Sequence, residues 1–140
     1  MTDTIAVTGA AGVIGRWVVK ELLDRGYTVR GFDNLSNGSR RNIAAFESNN
    51  RFELTVGDVT DPAAVESLLD ENVTACIHLA AEIDVEESLD DPESHFETNV
   101  VGTKHVLEAC RSTGTRLGLV GTCMVYDMVD SEAGIDESHP

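Results

Sequence analysis

Lysine is scarce in this chain, and so is positive charge in general. Lys20 and Lys104 are its only lysines, and 10 Lys and Arg residues stand against 25 Asp and Glu, which gives a formal net charge of −15 at pH 7. A surface this acidic repels phosphate backbones, so we expect no nucleic-acid partner. Such a composition suits a protein kept soluble in high salt, where screening relieves self-repulsion, and favours a halophilic source. An ordinary acidic cytoplasmic protein is the alternative.

Cysteine and long apolar runs are also sparse. The three cysteines, Cys76, Cys110 and Cys123, form no Cys-x-x-Cys pair, which excludes a disulfide framework and favours a reducing compartment. No apolar run approaches the ~18 residues of a membrane span, and the N-terminal residues lack the pattern of a secretory signal. The four histidines share no metal-ligand spacing. We therefore expect a cytoplasmic protein with no membrane partner and no metal.

What the chain does have is an alternation of short apolar runs with longer amphipathic ones. The short runs predict β-strands at 4–8, 27–32, 51–56, 74–79 and 116–121. Helical spacing of apolar residues, with Asp-Pro pairs at two N-termini, predicts helices over 12–25, 40–48, 61–71 and 91–112. Trp17 is expected in the core, and the acidic residues of 86–91 are expected to form a solvated turn.

Strands that alternate with helices favour a parallel sheet covered by helices on both faces. Right-handed crossovers make this a doubly wound α/β fold of the Rossmann type, with the expected strand order 3-2-1-4-5 and a ligand crevice at the carboxyl ends of the strands. The length of 140 residues fits one domain, 1–140. The pattern dissolves after Thr122, before the usual sixth strand, so we expect a fold that is incomplete at its C-terminus.

A glycine-rich turn, Thr8-Gly9-Ala10-Ala11-Gly12-Val13-Ile14-Gly15, joins the first predicted strand to the first helix. Gly9 allows a tight turn, and Gly12 lets the backbone approach a pyrophosphate at the helix N-terminus. Gly15 allows the helix to pack closely on the strand. Glycines alone are weak evidence, but the strand–turn–helix context predicts a dinucleotide site.

Asp33 follows the second predicted strand and lies 18 residues beyond Gly15. A carboxylate at this position can accept hydrogen bonds from both hydroxyls of an adenosine ribose, and it would repel a 2′-phosphate. The predicted cofactor is therefore NAD rather than NADP. The alternative is that Asp33-Asn34 is only a turn pair.

Three further motifs follow predicted strands. Asp58 can accept the amino hydrogen of an adenine, with Val59 against the ring. The small residues of Leu79-Ala80-Ala81 would let a cofactor pass close to the backbone. The hydroxyl of Thr122 is a candidate donor to a substrate oxygen. The alternatives are that Asp58 is only a loop aspartate, that Leu79-Ala80-Ala81 only pack in the core, and that Thr122 is only a threonine at the end of a strand.

Taken together, the motifs resemble the extended short-chain dehydrogenase/reductase family, and within it the nucleotide-sugar epimerases and dehydratases. The resemblance extends over the whole chain. It rests on six segments in order, which are Thr8–Gly15, Asp33–Gly38, Gly57–Val59, His78–Ala81, Asn99–Thr103 and Thr122–Tyr126.

The resemblance implies a role for each matching position. Gly9, Gly12, Val13, Ile14 and Gly15 form the pyrophosphate turn, while Asp58 and Val59 hold adenine. The residues around the adenosine ribose are Asp33, Asn34, Leu35, Ser36, Asn37 and Gly38. The middle of NAD is lined by Leu79, Ala80, Ala81 and Ile83, with Asn99 nearby. Thr122 matches the catalytic Ser/Thr of the family and also lies next to the cofactor.

Two departures from the family pattern bear on activity. Cys123-Met124 stand where the 4,6-dehydratases carry an Asp-Glu pair that eliminates water, and neither residue can move that proton. This argues against a dehydratase. The catalytic Tyr-x-x-x-Lys of the family is expected beyond Pro140, so we expect this chain to be part of a longer protein and inactive by itself.

The resemblance thus implies an NAD-dependent nucleotide-sugar epimerase that acts through a transient keto sugar. A sugar or alcohol dehydrogenase or reductase of the same family is one alternative, and a dinucleotide-sensing module without catalysis is another. The expected partner is a nucleotide-sugar substrate, and a homodimer is left open.

Overall fold

The computed structural model describes residues 3–122, 125–126 and 136. The expectations for Cys123, Met124 and most of the acidic stretch after Tyr126 lie outside these described residues. Within them, no helix is both long and apolar enough to cross a membrane.

In the described part of the chain, five parallel strands form one sheet. They are β1 (Thr4–Thr8), β2 (Thr28–Asp33), β3 (Phe52–Val56), β4 (Val73–His78) and β5 (Arg116–Leu119). Their order is β3-β2-β1-β4-β5, with every pair of neighbours parallel. This confirms the predicted strand order and the Rossmann-type α/β class.

Over residues 3–122, six α-helices accompany the sheet. They are α1 (Gly15–Asp24), α2 (Arg40–Ile43), α3 (Pro62–Leu68), α4 (Val85–Asp90), α5 (Pro92–Phe96) and α6 (Thr103–Thr113). A 3₁₀ turn at Ala44–Phe46 continues α2, and a π-helical turn at Glu97–Gly102 joins α5 to α6. The side chain of Asp61 accepts from the Ala63 N–H and Pro62 follows it, so α3 begins where the Asp-Pro pair predicts.

The core lies on both faces of the sheet because successive residues of a strand point to opposite sides. In β1, Ala6 packs into the cluster that holds Val65 of α3 and Val106 of α6. Its neighbour Val7 packs on the other side with Val19 of α1. Each of these buried valines contributes about 1.5–3 kcal/mol of transfer free energy. The helices are thereby held on both faces, as the alternating pattern predicted.

The acidic residues of 86–91 are exposed, as expected, but the expectation that they form a turn is wrong, because residues 85–90 form helix α4. Asp84 caps this helix by accepting from the N–H groups of Glu86 and Glu87 at 2.9 and 3.0 Å. Glu86 and Glu87 also lie in the first turn, where a negative charge interacts favourably with the positive end of the helix dipole. The acidic residues therefore start a helix as well as facing solvent.

The helix predicted over 91–112 is not continuous either. It consists of α5, the π-helical turn and α6. Gly102 ends the wide turn, and a Cβ at this position would lie 2.6 Å from Cγ2 of Val59. The chain therefore passes close to the loop after β3, and a side chain larger than hydrogen has no room there.

Trp17 is 58% exposed, so the expectation that it lies in the core is wrong. The buried face of α1 consists of Gly15, Val19 and Leu23, which are four residues apart. Trp17 falls off this face, and the Arg16 guanidinium lies 5.0 Å from the centre of its ring. Helix α1 also begins at Gly15, three residues later than predicted.

Candidate functional site

A cleft of about 490 Å³ opens at the carboxyl ends of the strands. The chain builds β2 and β3 on one side of β1 and then β4 and β5 on the other, so the strand order reverses next to β1. Ligands of doubly wound sheets bind at such a reversal. The cleft is lined by these predicted residues: Gly9, Gly12, Val13, Ile14, Gly15, Asp33, Asn34, Ser36, Asn37, Gly38, Val59, Leu79, Ala80, Ala81 and Ile83.

The glycine-rich turn forms the floor of this cleft. Gly9 has a φ of +68°, and a Cβ there would lie 2.9 Å from the Ala80 nitrogen. A Cβ at Gly15 would lie 2.0 Å from the Gly9 carbonyl oxygen. Helix α1 can therefore begin directly against the turn. The N–H groups of Arg16 and Trp17 donate to the carbonyls of Gly12 and Ile14, so an anion at the floor would be held by the backbone of the turn before them and by the dipole of α1.

Asp33 ends β2 and is only 6% exposed, yet its carboxylate lines the cleft. Oδ2 accepts from the Ala11 N–H at 2.9 Å, and Oδ1 accepts from the Leu35 N–H at 2.8 Å. A Cβ at Gly38 would lie 2.6 Å from Oδ1, so the loop closes tightly over the carboxylate. Each carboxylate oxygen has two acceptor sites, and one on each oxygen is left after these two bonds.

Asp58 lies beyond β3 and does not line the cleft, although its neighbour Val59 does. Its Oδ2 accepts from Asn34 Nδ2 at 2.8 Å, which ties the loop after β2 to the loop after β3. Burial raises the pKa of the Asp58 carboxyl, but the hydrogen bonds from Asn34 and Thr60 outweigh it and hold the pKa below its usual value. Asp58 is therefore a charged acceptor at the edge of the cleft.

A buried hydrogen-bond chain stands behind the wall that follows β4. Thr8 Oγ1 lies 2.6 Å from Nδ1 of His78, and Nε2 of His78 lies 3.0 Å from Oγ1 of Thr103. Thr8 Oγ1 also accepts from the N–H groups of Leu79 and Ala80, at 3.1 and 3.2 Å. The backbone of the cleft wall is thus fixed to the ends of both β1 and β4.

Four predicted residues do not line the cleft. Leu35 packs against the core cluster on the α1 side. Asn99 lies in the π-helical turn and holds the backbone of Glu82 with both ends of its amide, at 2.8 and 2.9 Å. Asp58 is at the edge, as described above. Thr122 is exposed and follows Gly121, which does line the cleft.

The sequence reasoning missed several lining residues, which are Phe32, Gly57, Glu82, Thr98, Val120 and Gly121. Glu82 lies between Ala81 and Ile83, which were both predicted to line the cofactor, so its position in the sequence could have identified it as a lining residue. Thr98 belongs to the π-helical turn, and no local pattern marks it. Its place in the cleft depends on how that turn packs.

Comparison with known proteins places the chain in a family. The model of the NAD dependent epimerase/dehydratase family matches residues 5–140. The UDP-glucose 4-epimerase of Mycolicibacterium smegmatis is 41% identical over 110 residues, which is 79% of this chain and 35% of that protein. The dTDP-glucose 4,6-dehydratase of Mycobacterium tuberculosis is 39% identical over 142 residues, which is 97% of this chain and 42% of that protein.

A solved structure agrees with this assignment. The crystal structure of UDP-glucose 4-epimerase from Brucella ovis in complex with NAD has a TM-score of 0.81 and 32% identity, and the match covers 99% of this chain and 41% of that one. The chain thus spans about two fifths of the length of the relatives it matches. The family's dependence on NAD confirms the cofactor predicted from the sequence. The chain belongs to the NAD-dependent epimerase/dehydratase family.

Proposed function

We propose that this chain is the NAD-binding part of a nucleotide-sugar epimerase of the UDP-glucose 4-epimerase type. The observation that carries the proposal is the cleft next to β1, where the fixed carboxylate of Asp33 and the glycine-rich turn line one space. A ribose needs an acceptor for its hydroxyls, and a diphosphate needs backbone amides. Both are present within the same cleft.

The residues of the cleft fit a dinucleotide. The Gly12 N–H donates to the Gly9 carbonyl oxygen at 3.1 Å, and a Cβ at Gly12 would lie 3.2 Å from that oxygen, so glycine keeps the turn compact and lets a diphosphate approach its backbone. Asp33 would accept the ribose hydroxyls through the sites that Ala11 and Leu35 leave open. NAD, when bound, supplies the carbon that takes a hydride from the sugar and returns it.

The epimerase assignment within the family rests on the residues that follow Thr122. A 4,6-dehydratase must eliminate water after the sugar is oxidised, and this step needs an acid and a base. Cys123 and Met124 provide no carboxyl group where dehydratases have two. An epimerase needs no such pair, because a sugar hydroxyl is oxidised to a ketone and then reduced from the opposite face without loss of atoms.

Thr122 is proposed to position that hydroxyl. It follows β5 and Gly121, at the side of the cleft away from Asp33 in the sheet order. A hydroxyl there can donate to a sugar oxygen and hold it in line for proton removal. In this arrangement the loop after β2 binds the adenosine end of NAD, and the residues after β5 contact the sugar of the substrate.

The proposal is tested with the full-length protein, NAD and UDP-galactose, with the products identified by ¹H NMR. An epimerase gives UDP-glucose with no loss of water and no net NADH. In a parallel reaction with dTDP-glucose, a 4-keto-6-deoxy sugar would identify a dehydratase and contradict the proposal. Stoichiometric NADH would identify a dehydrogenase and contradict it equally.

A further inference from the structure

A hydrogen bond crosses the cleft between its two walls. Nδ2 of Asn37, in the loop after β2, donates to Oε2 of Glu82, in the loop after β4, at 2.8 Å. The two residues are 45 positions apart in the chain, and both line the cleft. Strands β2 and β4 are separated by β1, so their ends are about 10 Å apart. The contact therefore passes over the carboxyl end of β1, where the glycine-rich turn begins.

The Glu82 end of this bridge has a fixed backbone. Asn99 Oδ1 accepts from the Glu82 N–H, and Asn99 Nδ2 donates to the Glu82 carbonyl oxygen. The carbonyl oxygen of Asn99 in turn accepts from the Thr103 hydroxyl at 2.7 Å, and Thr103 is bonded to His78. The carboxylate of Glu82 thus extends from a backbone anchored to the end of β4.

The Asn37 end is also held in place. Asn34 Oδ1 accepts from both the N–H and the hydroxyl of Ser36, at 3.0 and 2.7 Å. Asn34 itself donates to Asp58. The loop that carries Asn37 is therefore ordered by its own side chains, and the bridge joins two walls that are each built independently.

We propose that Asn37 and Glu82 are a positioning pair for the dinucleotide: their hydrogen bond sets the distance between the adenosine-ribose wall and the nicotinamide-side wall of the cleft. The inference rests on the proposed binding of NAD. A cleft held at its binding width before the ligand arrives loses less conformational entropy on binding. In this role Asn37 is a positioning residue that acts through Glu82.

The charge of Glu82 does not explain its presence in the cleft. A carboxylate in the same cleft as a diphosphate repels it. What glutamate supplies is an acceptor at the right reach, and glutamine has the same reach with an amide oxygen that also accepts. The variant Glu82→Gln therefore keeps the bridge and removes the repulsion, whereas Glu82→Ala removes both.

The test measures association and dissociation rates of NADH by stopped-flow fluorescence. The proteins are the parent, Asn37→Ala, Glu82→Ala, the double variant and Glu82→Gln. We expect Asn37→Ala to release NADH about tenfold faster, the loss typical of one hydrogen bond to a charged group, with little change in the association rate. In the Glu82→Ala background, Asn37→Ala should have no further effect, because the two act as one unit. Glu82→Gln should release NADH no faster than the parent.

The matched control is Glu108→Ala, which removes an exposed carboxylate that accepts from Arg111 at 2.7 Å on α6, outside the cleft. Its rates should equal those of the parent. A tenfold effect of Asn37→Ala in the Glu82→Ala background would mean that Asn37 contacts the dinucleotide directly, and would overturn the proposal. If the association and dissociation rates both rose by the same factor, the bridge would act as a gate to the cleft, and this result would also overturn the proposal. A parent that binds neither NADH nor NAD would refute the proposed function itself, whereas a parent that binds and variants with its rates would refute the positioning pair alone.

Discussion

The hydroxyl of Thr8 and the imidazole of His78 form a buried hydrogen bond of 2.6 Å that joins the carboxyl ends of β1 and β4. The neighbouring hydrogen bonds determine which of these two groups is the donor. The Thr103 hydroxyl donates to the Asn99 carbonyl, so Thr103 accepts from Nε2–H of His78. Nδ1 is then the unprotonated nitrogen and accepts from Thr8. His78 has no free lone pair for a second proton, and it is neutral in the folded protein.

This arrangement predicts a loss of stability in acid. Burial lowers the pKa of His78 to about 4, from 6.5 in the unfolded chain. Between these values the unfolded chain binds a proton that the folded protein does not. The free energy of unfolding that comes from His78 is therefore complete above pH 6.5 and is lost as the pH falls towards 4, by about 3 kcal/mol in all.

The measurement is the free energy of unfolding in urea from pH 7.5 to 4. Many carboxylates change charge in the same range, so the parent is compared with His78→Gln, which cannot titrate. We expect the parent to lose its advantage over the variant as the pH falls. Two curves that stay parallel over the whole range would show that His78 is not the titrating group.

Asp33 should determine the choice between NAD and NADP. Its anchored carboxylate can accept ribose hydroxyls and would repel a 2′-phosphate. We expect the parent to bind NAD more tightly than NADP. Asp33→Ala should lower the affinity for NAD about tenfold and reduce the difference between the affinities for NAD and NADP. Titration calorimetry with both nucleotides measures this. Equal affinity of the parent for NAD and NADP would contradict the assignment.

Thr122 should act on turnover and not on cofactor affinity. In the full-length protein, Thr122→Val should lower kcat roughly 10²-fold, the loss typical of one positioned donor or proton relay. The Kd of NAD should change little, and Thr122→Ser, which keeps the hydroxyl, should retain most of the rate. An unchanged kcat/KM in Thr122→Val would mean that the Thr122 hydroxyl has no part in turnover.

The formal charge of −15 predicts that salt stabilises the fold. The Debye length falls from ~10 Å at 0.1 M to ~3 Å at 1 M, so salt relieves repulsion more in the compact state than in the expanded chain. We expect the Tm to rise between 0.1 and 2 M KCl. A Tm that is flat or falls over this range would refute both the repulsion argument and a halophilic source.

Helix α4 offers the control for this experiment. Glu86, Glu87 and Asp90 are exposed, and their amide variants keep the size of each side chain while removing its charge. Asp91 is left unchanged because it caps α5 by accepting from the Ser94 N–H at 3.1 Å. The triple variant should show a smaller rise of Tm with salt.

The sequence by itself determined the framework of this protein and the location of its cleft. Alternating strands and helices leave few topologies once crossovers are right-handed, and the glycine-rich turn after β1 favours the order of the dinucleotide-binding fold among those that remain. Asp33 was predictable from its place after the second strand, 18 residues beyond Gly15. The glycine-rich turn was predictable because its shape depends on residues close in the chain. The need for glycine at position 15, for instance, follows from the nearby Gly9 carbonyl oxygen, which would lie 2.0 Å from a Cβ there.

Tertiary structure alone decided the features that depend on distant segments. Trp17 has the spacing of a core residue, but the packed face of α1 lies elsewhere. The predicted long helix contains a π-helical turn where Gly102 meets Val59, and Glu82 lines the cleft with its backbone held by Asn99 and its carboxylate by Asn37. Local propensity is a weak guide to such positions, because packing and hydrogen bonds between segments that are far apart in the chain outweigh it.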